Sequence, residues 1–281
     1  MAIEAFAPAK INLTLHVTGQ RADGYHLLDS LVMLTDVGDK VTVEKAAETS
    51  LAVVGPMATG VPTDRSNLVV RAADLLGVTA KIILEKSLPA MAGIGGGSSD
   101  GAAAIRALCT LYDLPIPNAE VLSSLGADLP VCMEPGLVRM QGIGEEITQL
   151  DAPPDWPMIL VNPRASVSTP KVFSAMKERR NMLMSEPFPS WGDFDGTVAW
   201  LSEQRNDMQE AAIELQPVIG QVLAELNQTD GCALARMSGS GATCFAIYKT
   251  ASERDAALDV LRYRNPHWWC VATQRVGARF A

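Results

Sequence analysis

Pro89-Ala-Met-Ala-Gly-Ile-Gly-Gly-Gly-Ser-Ser99 is the strongest chemical signal in the sequence. Glycine lacks a Cβ and adopts backbone angles closed to other residues, so several N–H groups of such a run can converge on one oxyanion. Ala80, Ile82 and Leu84 before it alternate as a strand does, and Asp100–Tyr112 after it is rich in helix formers. A helix N-terminus adds unpaired donors and the positive end of a dipole. Strand, glycine-rich loop and helix in that order are suited to phosphate, with a flexible turn as the plain alternative. Ser98 and Ser99 supply hydroxyls that can donate to a phosphate or help position a magnesium-bound one. The Walker pattern needs Gly-Lys-Ser/Thr, and this loop has no lysine. The dinucleotide fingerprint needs a third glycine where Ser98 stands, so neither is favoured. Protein-kinase signatures are missing too, since Asp193-Phe194-Asp195 is no match for D-F-G.

Away from the loop, Lys10 and Asn12 share one face of an alternating run while Ile11 and Leu13 share the other. The polar face can therefore point into a site as the apolar face enters the core. Asp128 follows Gly126-Ala127. Alone, such an aspartate is more often a turn or cap residue, and a lone lysine at a strand start is usually a solvated charge. Ser238-Gly-Ser-Gly241 sits between two apolar runs, where a tight turn is the alternative reading. The cysteines and the Trp268-Trp269 pair read as packing residues.

These groups need a scaffold. The chain has 281 residues, enough for one large or two smaller domains with a real core. It carries 23 Lys+Arg against 32 Asp+Glu, a net charge of -9, so it has no broad basic surface for nucleic acid. Five cysteines without a CxxC pair suggest neither a disulfide framework nor a zinc ribbon, and fit a reducing, cytoplasmic compartment. No apolar h-region opens the chain and no run reaches the length of a membrane span. Strands are expected at Ile11–Val17, around Val41 and Val43, at Ala80–Leu84, Met158–Val161, Cys232–Met237, Ala242–Tyr248 and Trp269–Gln274. Helices are expected at Ser66–Leu76 with Ser66 and Gly77 as caps, at Asp100–Tyr112, Asn118–Leu125, Pro170–Glu178, Thr197–Glu203, Met208–Leu226 and Ser252–Arg262. The mixed order argues for α+β. The proline-rich stretch Asp151-Ala-Pro-Pro-Asp-Trp-Pro157 marks a domain boundary.

Pro8-Ala-Lys-Ile-Asn12, Pro89–Ser99 and Met237-Ser-Gly-Ser-Gly-Ala242 together resemble the three motifs of the GHMP kinases, which phosphorylate small alcohols or acids with ATP. Ala9-Lys-Ile-Asn-Leu-Thr-Leu-His-Val17, Arg21-Ala-Asp-Gly-Tyr-His26, Gly126-Ala-Asp-Leu-Pro-Val-Cys132 and Asn206-Asp207 are similar to the branch of that family acting on a cytidine-diphosphate-linked methylerythritol. The likeness spans nearly the whole chain and is weakest across Ser174–Ser202.

The resemblance implies a two-domain GHMP kinase fold, with a ribosomal-protein-like domain over residues 1–152, a ferredoxin-like domain over 153–281 and the site in the cleft between them. It implies ATP with Mg2+ as cofactor, with no metal ligand assigned, and transfer of the γ-phosphate to a tertiary hydroxyl. Pro89, Ala90, Met91, Ala92, Gly93, Ile94, Gly95, Gly96, Gly97, Ser98 and Ser99 would hold the nucleotide. Asp128 would orient the hydroxyl and accept its proton late, as a loose transition state allows, with Lys10 beside it. Asn12, Tyr25, His26, Thr169 and Phe173 would contact the acceptor, Tyr25 and Phe173 facing each other across the cytosine and His26 meeting its polar edge. Ser238, Gly239, Ser240 and Gly241 would line the site. Ala92 stands where relatives often have glycine, and Asp100 where some have asparagine. A carboxylate at Asp100 would repel phosphate, so it is expected to point away. A homoserine or mevalonate kinase, or a silent nucleotide-binding regulator on the same fold, are the alternatives. Asp23-Gly-Tyr-His26 argues against the first, and the Lys10 and Asp128 matches against the second.

Overall fold

A computed structural model of the chain describes residues 1–151 and 155–277. The expected boundary between residues 152 and 153 falls among 152–154, outside the described residues. Seven strands on its N-terminal side form one sheet: β1 (Ala2–Asn12), β2 (His16–Gln20), β3 (His26–Lys45), β4 (Ser50–Val54), β5 (Ala80–Glu85), β6 (Leu137–Gly142) and β7 (Glu146–Leu150). Strand β3 is its spine. β1 and β2 run antiparallel along one edge of β3, and β5 and β6 along the other. The strand expected around Val41 and Val43 is therefore part of one strand of 20 residues that begins at His26.

Helices α1 (Leu68–Leu76) and α2 (Gly96–Tyr112) pack together over this sheet, and α3 (Ala119–Ser123) precedes a short 3-10 turn at Val131–Met133. Ala72, Ala102, Ala103, Ile105, Leu108 and Ile82 are buried in the core beneath them. α1 is capped by Asn67, not Ser66: the Val69 N–H donates to Asn67 Oδ1 at 3.1 Å, while Ser66 turns its hydroxyl to Asp64. Gly77 ends the helix in the left-handed conformation, as expected.

Four antiparallel strands form the second sheet: β8 (Met158–Asn162), β9 (Cys232–Met237), β10 (Cys244–Tyr248) and β11 (Trp269–Thr273), in the order β11-β8-β10-β9. Between β8 and β9 come α4 (Thr169–Ala175), α5 (Phe194–Glu203), α6 (Gln209–Leu215) and α7 (Val218–Asn227); α8 (Ala251–Arg264) lies between β10 and β11. This strand order and its helical crossovers are ferredoxin-like. The helix expected over Met208–Leu226 is two helices, broken at Gln216 and Pro217, because proline cannot donate to the preceding turn.

A continuous core joins the two sheets. Ala9, Ile11, Leu13, Leu31 and Met33 from β1, β3 and the turn after β1 pack with Met158, Leu160, Phe245 and Ile247 of the second sheet, none more than 1% exposed. The strand expected over Ile11–Val17 is interrupted at residues 13–15, where β1 passes into β2. Arg236 of β9 holds that break: its buried guanidinium donates to the Leu13 carbonyl at 2.8 Å and to those of Leu201 and Gln204.

Candidate functional site

The glycine-rich loop runs from the end of β5 into α2. Its helix begins at Gly96, four residues earlier than the alanine-rich run suggests, and the Ser99 N–H already donates to the Gly95 carbonyl at 2.8 Å. Gly96, Gly97 and Ser98 are thus first-turn residues whose amides lack an i−4 partner within the helix.

The four loop glycines divide into two kinds. Gly93 and Gly95 have φ of 72° and 62°. A Cβ on Gly93 would lie 2.5 Å from the Gly241 carbonyl oxygen, and one on Gly95 only 3.1 Å from Lys10 Cβ. These two are glycine because the fold demands it. Gly96 and Gly97 lie in the helix, and a Cβ would meet only ordinary contact at Gly96 and open space at Gly97. Gly97 is exposed, so its missing side chain leaves an approach to the helix N-terminus clear. Ala92 is buried in the core between the sheets with its carbonyl bonded by the Thr243 N–H, so the departure from glycine lies on the loop's packed side.

Lys10 lies under this loop. Its N–H donates to the Ile94 carbonyl at 2.9 Å, and its Nζ meets Asp128 Oδ2 at 2.9 Å. The Lys10 side chain is 5% exposed and that of Asp128 39%, so the ammonium is enclosed while the carboxylate opens outward. Asp128 occupies the turn after α3, beside the first turn of α2, where a Cβ on Gly126 would lie 3.9 Å from Ser98 Oγ.

Ser238, between β9 and β10, ties the remaining pieces together. The Asn12 N–H donates to Ser238 Oγ at 3.0 Å, and that hydroxyl donates to the Gly93 carbonyl at 3.2 Å. Asn206 braces the turn from behind, its Nδ2 donating to the Met237 and Gly239 carbonyls at 2.7 and 2.9 Å. Thr169 and Ser240 share a hydroxyl–hydroxyl bond of 2.7 Å, which brings α4 to the same turn. Lys10, Asn12, the loop, Asp128, Thr169 and residues 238–241 are therefore one connected assembly. Within it, Asn12 Oδ1 and Ser99 Oγ are buried with no partner among the described residues.

Phe173 lies one helical turn beyond Thr169 on α4. Its ring stacks on His26, with centroids 3.9 Å apart and planes 6° from parallel. The expectation that Phe173 faces Tyr25 is not met in this structure: His26 covers that ring face and Tyr25 is 57% exposed on the turn before β3. Burial, then the neighbouring Arg179, lowers the His26 pKa, so the ring is neutral near pH 7. Its Nε2 is buried with no partner among the described residues.

Lys86, just before the loop, and Asp39 of β3 carry no motif and were not expected at the site. Lys86 Nζ bonds to Asp39 and, at 2.7 Å, to Asp100 Oδ2, all three groups at most 4% exposed. Asp100 thus turns away from the loop surface, as expected. The one sequence signal was a lysine at a buried strand end, which no local pattern pairs with an aspartate 47 positions earlier. Among the described residues, no group of three or more His, Cys, Asp or Glu could hold a metal ion, and no helix is long and apolar enough to cross a membrane.

The chain matches the family model "GHMP kinases N terminal domain" over residues 67–136 and "GHMP kinases C terminal" over 192–267. It is 50% identical to a 4-diphosphocytidyl-2-C-methyl-D-erythritol kinase from Cereibacter sphaeroides, covering 98% of this chain and 99% of the relative. A crystal structure of 4-(cytidine 5'-diphospho)-2C-methyl-D-erythritol kinase superposes with a TM-score of 0.79 at 30% identity, over 98% of this chain and all of that one. A homoserine kinase from Cytophaga hutchinsonii superposes with a TM-score of 0.70 at 16% identity, a likeness of fold alone.

Proposed function

Since the chain belongs to the GHMP kinase family, we propose that the assembly around Lys10 and Asp128 is its active site. The reaction is ATP-dependent phosphorylation of the 2-hydroxyl of 4-diphosphocytidyl-2-C-methyl-D-erythritol, giving the 2-phosphate and ADP, a step of non-mevalonate isoprenoid precursor synthesis. One observation carries the assignment of the site: the Lys10 side chain is held under Gly95 and ion-paired with Asp128, so the first motif, the phosphate loop and the candidate base meet at one ammonium.

Magnesium carried in with ATP would supply charge neutralisation at the phosphate oxygens. The amides of Gly96, Gly97 and Ser98, with the Ser99 hydroxyl, receive the polyphosphate at the start of α2. Pro89–Ile94 set the loop's course, and Ser238–Gly241 hold it against β1. Asn12 Oδ1 accepts a hydrogen bond from the acceptor, and Thr169 lines the acceptor side. The acceptor oxygen attacks the γ-phosphorus as the bond to the ADP oxygen breaks. Asp128 orients that hydroxyl and takes its proton late, while the Lys10 ammonium stabilises negative charge on the transferring group. Tyr25, His26 and Phe173 recognise the cytosine. For Phe173 to stack on the base, His26 must leave the face it covers, which frees its Nε2 to bond the base's polar edge. We take the seam between Leu150 and Met158 as the domain boundary, and five free cysteines suit a reducing cytoplasm.

The test is ADP release with the cytidyl methylerythritol, homoserine and mevalonate supplied separately. Turnover with the first alone is expected. Turnover confined to either of the others overturns the assignment, and ATP binding without turnover on any of them identifies a regulator.

A further inference from the structure

The buried cluster beneath the phosphate loop contains two carboxyl groups and one ammonium. Asp39, Lys86 and Asp100 are each at most 4% exposed, and a Cβ on Gly96 would lie 3.7 Å from Lys86 Nζ. With both carboxyls ionised the cluster would hold an uncompensated negative charge under a loop that must receive a polyanion. Burying such a charge is costly, and proteins relieve it by retaining a proton.

Geometry distinguishes the two carboxyls. Asp39 is surrounded by donors: its Oδ1 accepts the N–H groups of Ser87 and Leu88 at 2.6 and 2.8 Å, and its Oδ2 faces Lys86. Asp100 Oδ2 accepts from the shared Lys86 at 2.7 Å, and its Oδ1 is buried with no partner among the described residues. Other neighbours do not alter this balance. The 3-10 turn presents the Cys132 thiol, which burial pushes up to about 12, and α1 turns Leu68 toward this part of α2. Lys10 and Asp128 lie beyond Cys132 and are paired with each other; Arg106, further along α2, donates to the Phe6 carbonyl.

We propose that Asp100 works as a neutral carboxylic acid, and that its neutrality is a condition for ATP binding at the loop above it. It rests on the assignment of that loop to the polyphosphate. A protonated aspartate is close to an asparagine in shape and charge, so Asp100→Asn mimics the neutral form. Burial, with Asp39 adding to it against the pull of Lys86, raises the Asp100 pKa to about 8. Above that pH the proton goes to solvent, a negative charge appears under the loop, and ATP binds less well. Asp100 is a positioning residue in this account, because it acts through the loop.

Two measurements on the intact protein decide the matter. In protein labelled with 13C at aspartate carboxyls, one resonance is expected to titrate near pH 8, well above the ordinary range around 4. Saturating magnesium–ATP should move that midpoint higher, as linkage requires. In parallel, the ATP Kd of the wild type should rise by up to about tenfold per pH unit above the midpoint, whereas Asp100→Asn should show a flat profile. Adenosine, which has no phosphate, should bind independently of pH in both. If every carboxyl titrates in the ordinary range, or Asp100→Asn keeps the wild-type profile, the proposal is overturned. The wild-type resonance decides even if the variant does not fold. Failure of the loop assignment looks different: a resonance would still titrate high but would not respond to ATP, and Gly97→Ala would bind ATP normally.

Discussion

Lys10 combines three constraints in one side chain. Its backbone bonds the loop at Ile94, its methylenes lie where a Cβ on Gly95 would press, and its ammonium holds Asp128. Asp128, 39% exposed on its side chain, is the partner that can turn to an acceptor. Asp128→Asn keeps the shape but cannot take the proton, so kcat should fall by about 100-fold or more with the ATP KM little changed. Near-wild-type turnover would remove Asp128 from the mechanism. At the same scale His16 makes a stability prediction. Its Nε2 accepts the Arg205 N–H at 3.1 Å inside the protein, and burial, then Arg205, lowers its pKa below 6.5. The unfolded chain therefore protonates His16 first. The stability it contributes is complete above about pH 6.5 and is lost as pH falls toward the folded-state value. His16→Gln should flatten the pH dependence of the denaturation midpoint in that window, and an unchanged slope would contradict this.

At the scale of elements, the start of α2 separates glycines required by the fold from glycines required by the ligand. Gly97 is helical with open space where a Cβ would go. A glycine within a helix is less stable than alanine by roughly 0.5–1 kcal/mol. Gly97→Ala should therefore raise the melting temperature slightly while raising the KM for ATP several-fold. A variant more stable and equally good with ATP would show that phosphate does not approach at this position. Gly93→Ala should instead destabilise the protein with or without ligand, because its methyl would strike the Gly241 backbone. The turn at 238–241 is likewise part of the loop's support, joined to it by Ser238 and braced by Asn206.

The whole molecule is built around the core between the sheets. Phe245 of β10 is fully buried there with Ile11 and Leu31. Phe245→Ala should cost about 3–5 kcal/mol. Since that core belongs to both halves, the loss should appear in one cooperative transition. Of the five tryptophans, Trp156 lies in the seam and Trp191, Trp200, Trp268 and Trp269 lie C-terminal to it, and none lies in the N-terminal half, so fluorescence reports chiefly the second half and the shared core. Coincidence of fluorescence with far-ultraviolet circular dichroism is the expected result. Separate transitions would mean that the halves are energetically independent.

Much of this was determined by the sequence itself. The glycine run, the alternation around Lys10 and Asn12, the proline-rich seam and the α+β order follow from local backbone and side-chain preferences, which neighbouring residues express without knowledge of the fold. Caps and breaks were legible only approximately: Ser66 and Asn67 are both good cap residues, and packing selects Asn67. Pairings between distant residues were not legible. Asp39 with Lys86 and Asp100, Ser238 between Asn12 and Gly93, and His26 on Phe173 each depend on where the two sheets bring separate segments. The sequence thus determined which groups can do chemistry, and the tertiary structure decided which of them meet, because charge compensation and stacking act through space between residues that no local pattern connects.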